Sequence, residues 1–317
     1  MIRMNKCAVI GCGFVGATAA YTLTGSGLFS EIVLIDVDRR RAEGEAMDIS
    51  QGLPFQSPLS VRAGDYDDLR DAGLVILAAG ANQKVGETRL ELLSRNMRIF
   101  SSILSELSRV NREAIILVVT NPVDILTEYI IETTDYDPAR VIGSGTVLDT
   151  ARLKQKLGEH FSVDSRNVHA FIMGEHGDSE FPVWSQANIS GFDLDDFCRL
   201  YGKKGDIETL DGLFREVRDS AYRIIEAKGA TYYAIAQSVR RIVKSVVRNE
   251  RSVLPISVSA KGHYGLHDVA LGIPTVVGIG GAERILDVPL SASEQDKLEA
   301  SAATVRASLD SAMTKFV

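Results

Sequence analysis

Short apolar runs punctuate the first half of the chain: CAVIG (7–11), EIVLID (31–36), LVILAAG (74–80), AIILVVT (114–120) and RVIGSG (140–145). Each is rich in Val, Ile and Leu and presents apolar side chains on both alternating faces. That pattern suits strands covered on both sides within a parallel sheet. Helical spacing fills the intervals. It is clearest over about 87–110, where Leu90, Leu93, Met97, Phe100, Leu104 and Leu107 mark one stripe. Strands alternating with helices predict a doubly wound α/β domain with a parallel sheet, of the Rossmann kind, over residues 1–145.

The pattern changes after that point. A helical segment precedes NVHAFIMGEHGDSEFPVW (167–184), and helices are predicted near 206–228 and 229–246. Strands with turn-like glycines follow in VLPISVSA (253–260) and HYGLHDVALGIPTVVGIGG (263–281). A last helix is expected over 292–316, with Ser291 and Glu294 as a capping box. Residues 146–317 therefore read as an α+β substrate-binding domain, and the lack of a Pro/Ser linker predicts a wide interface between the two parts.

Composition narrows the class without naming it. A hydrophobic share of 45% and a charged share of 24% are ordinary for a globular chain of 317 residues. The net charge of −7 argues against a nucleic-acid partner. Three cysteines, Cys7, Cys12 and Cys198, do not make a disulfide framework or a metal-ligand spacing. The N-terminus runs straight into a strand, and no apolar run reaches the length of a membrane span, so a cytoplasmic enzyme without membrane attachment is expected.

The first candidate chemistry lies in VIGCGFVGATAA. Gly11, Gly13 and Gly16 form G-x-G-x-x-G between a strand and a helix. Such glycines allow a tight turn, close backbone approach to a pyrophosphate, and close helix–strand packing, while the helix N-terminus meets the phosphates. Asp36 ends the next strand, twenty residues after Gly16. A carboxylate there accepts hydrogen bonds from ribose hydroxyls and repels a 2′-phosphate, which favours NAD over NADP. Arg39, Arg40 and Arg41, just beyond it, pull slightly the other way.

Three further stretches carry charge. In GSGTVLDTARL (143–153), Asp149 and Arg152 share one helix face, a spacing that also makes ordinary surface ion pairs. In GEHGDSE (174–180), His176 sits in a turn after an apolar strand; His176, Asp178 and Glu180 have no recognised zinc spacing. GANQKVGETRL (80–90) places Gln83, Lys84, Glu87 and Arg89 in a loop after a buried-looking strand, as a solvated connection or as a lid.

Taken with VTNPVDILT and KGATYYAIA, these motifs resemble the lactate/malate dehydrogenase family, and in particular its lactate-type members, from residue 7 to near the C-terminus. The resemblance implies a two-domain NAD-dependent 2-hydroxy-acid dehydrogenase, usually a tetramer. It implies His176 as proton donor, Asp149 as the group that orients its ring, and Arg152 as the fork for a substrate carboxylate. Arg89, at the tip of a closing loop bracketed by Gly80 and Gly86, would polarise the carbonyl. Asn121 and Thr231 would contact substrate. Val15, Arg41, Tyr66, Gly80, Ala81 and Asn121 would join the glycine loop and Asp36 around the cofactor.

Gln83 stands where malate-type relatives carry Arg. A neutral side chain leaves the second carboxylate of oxaloacetate unpaired, so pyruvate and lactate are the expected pair, with longer 2-hydroxy acids left open. Val85 stands where lactate-type members usually carry Pro. Lys154 and His169 match an Arg and a His that bind fructose 1,6-bisphosphate between subunits of many bacterial relatives; Lys keeps the charge and loses the fork. The rival reading, a non-catalytic NAD-binding protein, has no use for His176, Asp149, Arg152 and Arg89 together.

Overall fold

The computed structural model describes residues 2–81, 86, 88–202 and 205–316, with side chains to residue 314. Among them, strands β1 (Arg3–Ile10), β2 (Glu31–Ile35), β3 (Ser60–Ala63), β4 (Ala72–Leu77), β5 (Ile115–Val118) and β6 (Val141–Gly143) alternate with helices α1 (Phe14–Thr24), α2 (Arg39–Gln51), α3 (Arg89–Val110) and α4 (Val123–Thr133). The six strands pair in parallel in the order β3-β2-β1-β4-β5-β6. The apolar runs are buried on both faces as their composition demands; every residue of β4 and β5 is buried.

Helix α5 (Val147–Phe161) follows β6. Short strands β7 (Val168–His169), β8 (Ile172–Met173), β9 (Phe181–Pro182), β10 (Asn188–Ile189) and β11 (Phe192–Asp193) lead to α6 (Leu194–Tyr201), α7 (Ile207–Lys228) and α8 (Tyr233–Val247). Strands β12 (Ser252–Ser259), β13 (Ala270–Gly278) and β14 (Gly281–Ile285) precede the last helix, α9 (Ala292–Phe316). Strands β12–β14 make no sheet of their own. They add antiparallel to the β6 edge and extend one sheet to nine strands. This covers an edge that would otherwise expose unpaired backbone. The approach is close: a side chain on Gly143 would meet Ser257 Cβ at 2.7 Å. The main core accordingly runs through both halves, from β1–β6 to α8, β12, β13 and α9, and a smaller cluster gathers α5, α6 and α7.

Local signals explain the element ends. Helix α3 starts at Arg89 because Thr88 and Glu91 cap it reciprocally: Thr88 Oγ1 accepts from the Glu91 amide at 3.2 Å, and Glu91 Oε2 accepts from the Thr88 amide at 2.8 Å. The predicted stripe is buried from Leu93 to Leu107. The Ser291/Glu294 box forms as expected, and Glu294 also accepts from the backbone and hydroxyl of Ser185. No helix among the described residues is long and apolar enough to cross a membrane.

One core group bears a pH-dependent cost. Glu128 of α4 is 2% exposed, receives one long bond from Ser259 Oγ at 3.3 Å, and has no partner for Oε2. Burial pushes its carboxyl up to about 7. The folded state therefore holds this proton more tightly than the unfolded chain, and stability falls as pH rises from the ordinary carboxylate range through about 7. Glu128→Gln removes that titration. Thermal melts should show the parent losing about 2 kcal/mol more than the variant between pH 5 and pH 8, since each tenfold gain in proton affinity is worth roughly 1.4 kcal/mol; parallel curves would contradict this.

Candidate active site

The glycine loop lies between β1 and α1. Gly11 has φ +98°, and a side chain there would strike the Ala79 backbone at 2.3 Å; one on Gly16 would strike Gly11 O at 1.8 Å. Those two glycines are demanded by packing. Gly13 differs: a Cβ there would meet nothing within 4 Å, and α1 has no side-chain cap at its N-terminus. Free helix amides beside open space form a seat for an anionic group. Asp36 borders it, accepting from the Cys12 amide at 2.6 Å and the Asp38 amide at 2.9 Å. Arg41 Nε donates to Cys12 O at 2.7 Å, so this arginine buttresses the loop. Val15 and Tyr66 are partly buried against the main core, and Val37, next to Asp36, is fully exposed.

At the C-terminal ends of β4 and β5 the chain is tied together by Asn96 of α3, which the sequence alone does not single out. It is 2% exposed; its Oδ1 accepts from the Ala81 amide at 2.9 Å and its Nδ2 donates to Asn121 O at 3.1 Å. A side chain on Gly80 would meet Thr120 Cγ2 at 2.6 Å. Asn121 precedes a cis peptide to Pro122 and is exposed at the head of α4.

The second half supplies a triad of charge built on one buried carboxylate. Asp149 lies on the first turn of α5 with its side chain 4% exposed. Its Oδ1 accepts from Arg152 Nη1 at 3.0 Å, and its Oδ2 lies 2.6 Å from His176 Nδ1. The Arg152 side chain is 13% exposed and the His176 side chain 24%. One buried carboxylate thus carries two cationic groups that still reach solvent. Burial opposes the charge on Asp149, but His176 and Arg152 outweigh it and hold the carboxyl below its usual range. Burial also opposes a charged imidazole; the Asp149 carboxylate prevails and pushes His176 up to about 9.

Four elements fix the loop that carries His176. Gly174 exchanges two backbone hydrogen bonds with Gly272 of β13, at 3.1 and 2.8 Å. The Glu175 amide donates to Ser301 Oγ of α9 at 2.8 Å. The His176 amide donates to Asp124 Oδ2 of α4 at 2.7 Å. The ring is held by Asp149. Asp124 is 2% exposed, and burial pushes its carboxyl up to about 6. Glu180 is also buried, and its oxygen, that of Asp149 and a His176 ring nitrogen lie within 4.8 Å of one another. The Arg152 guanidinium on the same carboxylate disfavours a further cation there, so the trio is better suited to holding protons.

Arg89 corrects the sequence picture. It is the first residue of α3, on the helical side of the Thr88 cap, and not the tip of the loop. Its Nη1 lies 3.2 Å from Asp178 Oδ2, and Tyr222 Oη donates to Asp178 Oδ1 at 3.0 Å. The arginine therefore stands over the His176 loop on an exposed pair. Gln83, Lys84, Val85 and Glu87 lie outside the described residues. Thr231 lies in the break between α7 and α8, which reaches the glycine loop through Phe14 stacked on Tyr232 at 5.4 Å. Lys154 of α5 is half-buried, and burial followed by the nearby Arg241 charge lowers its pKa; His169 is exposed on β7.

Comparison with known proteins accords with this arrangement. Residues 5–143 match the lactate/malate dehydrogenase NAD binding domain, and residues 146–316 match the lactate/malate dehydrogenase alpha/beta C-terminal domain. The chain belongs to the lactate/malate dehydrogenase family. It is 49% identical to L-lactate dehydrogenase 1 of Clostridium acetobutylicum, over 98% of this chain and 99% of that relative. It is also 49% identical to the L-lactate dehydrogenase of Acetivibrio thermocellus, over 96% of each. A solved lactate dehydrogenase from a Medee basin deep-sea metagenome library superposes with a TM-score of 0.94 at 43% identity, covering 98% of this chain and 100% of that one. The first half is thus an NAD-binding domain, and the family is one of NAD-dependent oxidoreductases.

Asp149→Asn keeps the shape and removes the anion. The elevated pKa of His176 means that its contribution to stability is full below the ordinary imidazole range and is lost as pH rises through about 9. The variant should lose about 3 kcal/mol at pH 6 in urea denaturation, with the deficit shrinking above the His176 transition; a deficit independent of pH would contradict the pairing.

Proposed function

We propose that this protein is an L-lactate dehydrogenase that interconverts pyruvate and L-lactate, with the chain divided near residue 145 into a cofactor half and a substrate half. The observation that carries this reading is the single buried carboxylate of Asp149 shared by Arg152 and His176. One cation is suited to holding a carboxylate and the other to delivering a proton. The relatives named L-lactate dehydrogenase support pyruvate over oxaloacetate.

Gly11, Gly13, Val15 and Gly16, with the α1 amides, would hold the pyrophosphate of NAD. Asp36, Tyr66 and the exposed Val37 would receive the adenosine, while Gly80, Ala81 and Asn121 would flank the nicotinamide half. When bound, NADH supplies the hydride. Arg152 binds the substrate carboxylate through its planar fork. His176 gives its proton to the carbonyl oxygen as negative charge develops there, and Asp149 keeps the ring oriented and charged until that moment. Arg89, the first residue of α3, leaves Asp178 and polarises the same oxygen. Asn121 and Thr231 line the substrate. Gln83 leaves the pocket without a partner for a second carboxylate.

Exposed apolar side chains on several helices, among them Tyr21 of α1, Met47 of α2, Ile225 of α7 and Tyr233 of α8, support a homo-oligomer, which we take to be a tetramer. Buried free cysteines suit a reducing compartment, which we take to be the cytoplasm. Lys154 beside Arg241 offers cations, and His169 a ring nitrogen, for fructose 1,6-bisphosphate between subunits; an apparent KM for pyruvate unmoved by the bisphosphate removes this role.

Spectrophotometric NADH oxidation should proceed with pyruvate in clear preference to oxaloacetate. In Gln83→Arg the ratio of their kcat/KM values should swing toward oxaloacetate by at least about tenfold, the scale of a charge-assisted hydrogen bond. Unchanged ratios would remove Gln83 from specificity. Reduction needs protonated His176, so kcat/KM for pyruvate should stay level through neutral pH and fall above about 9, whereas lactate oxidation rises toward that pH. An acid-only optimum for reduction, lost by pH 7, would contradict the proton-donor role.

A further inference from the structure

The turn that bears His176 ends in a second carboxyl that the mechanism above does not use. Glu180 lies four residues after His176, with its amide donating to Gly177 O at 3.3 Å, so the turn folds back on itself. The residue is 6% exposed, and its carboxyl stands with Asp149 and the His176 ring inside a 4.8 Å cluster. Two buried carboxylates so close do not both ionise near neutral pH. Asp149 has Arg152 and the imidazole to hold its charge. Glu180 shares that neighbourhood, and among the described residues both cations are engaged by Asp149. The proton therefore falls to Glu180.

We propose that Glu180 is a positioning residue, a protonated carboxylic acid whose O–H is directed to Asp149 and which fixes that carboxylate toward His176 and sets how tightly the ring holds its proton. The inference rests on the proposed pyruvate chemistry for its kinetic readout. Burial first, and then the Asp149 charge, push the Glu180 carboxyl up to about 9. The charged groups facing it are Asp149 and Arg152 of α5 and His176 of its own loop; Asp124 of α4 acts on His176 as well. As pH rises, ionisation of Glu180 places a negative charge beside the imidazolium and delays its deprotonation. The alkaline limb of pyruvate reduction then belongs to the cluster rather than to the imidazole alone.

Glu180→Gln retains a donor but cannot ionise. With saturating NADH, its kcat/KM for pyruvate should be lower than the parent's by about threefold at pH 6.5 and by about thirtyfold at pH 9.5, because its alkaline midpoint falls by about one pH unit, a factor of ten. Glu180→Leu lacks the donor as well and should lose about tenfold in kcat at pH 6.5 with an unaltered Kd for NADH. Superimposed pH profiles of the parent and the Gln variant overturn the proposal. Where the Leu variant does not fold, the Gln variant decides alone. The infrared difference spectrum of parent minus Gln variant at pH 7 gives a readout free of turnover: the proposal expects a protonated-carboxyl C=O band, and a carboxylate band in its place overturns it. A parent inactive with pyruvate would defeat the functional reading, while the infrared result would still decide where the proton lies.

Discussion

The structure depends on one desolvated anion. Asp149 is removed from water, a state that is costly unless the charge is paired. Arg152 comes from the next turn of the same helix, and His176 from a loop 27 residues later. Neither cation is fully buried, so each can act outward while being held from within. Remove the anion, and the imidazole sits in surroundings that disfavour its charge, beside a guanidinium that repels it.

The fold exists around that point in a traceable way. Strand β6 delivers the chain into α5, and β12 closes against β6 so tightly that Gly143 and Gly145 tolerate no side chain: on Gly145 a Cβ would meet the Ser257 amide at 2.4 Å. Strand β13 then grips the histidine loop through Gly272, α4 grips its backbone through Asp124, and α9 through Ser301. The extension of the parallel sheet by three antiparallel strands is therefore what holds the cofactor half and the proton-bearing loop in one frame. The Phe14–Tyr232 stack joins the same halves on another side, next to Thr231.

Much of this is legible in the residues. Runs apolar on both faces announce the parallel sheet, the glycine triplet and Asp36 announce the nucleotide seat, and the i,i+3 spacing of Asp149 and Arg152 announces their pair. What escapes are contacts whose partners lie far apart in the chain. Asn96 reads as one more polar position on a helix, yet it joins Ala81 to Asn121. Asp124 and Glu180 carry no sequence signal of burial, yet both are buried in the fold. Strands β12–β14 show their turns but not their partner, since the edge they cover is specified by close-packed glycines rather than by their own pattern. Arg89 reads as a loop tip only while the charge of the loop outweighs the capping box of Thr88 and Glu91, which starts α3 at Arg89 itself.

The most direct test is to follow the His176 ring in isotope-labelled protein by NMR across pH, without substrate. The account predicts that the imidazole stays protonated through neutrality and titrates near 9. A midpoint at or below the ordinary imidazole value of 6.5 would mean that burial, and not Asp149, governs the ring, and the account would fail.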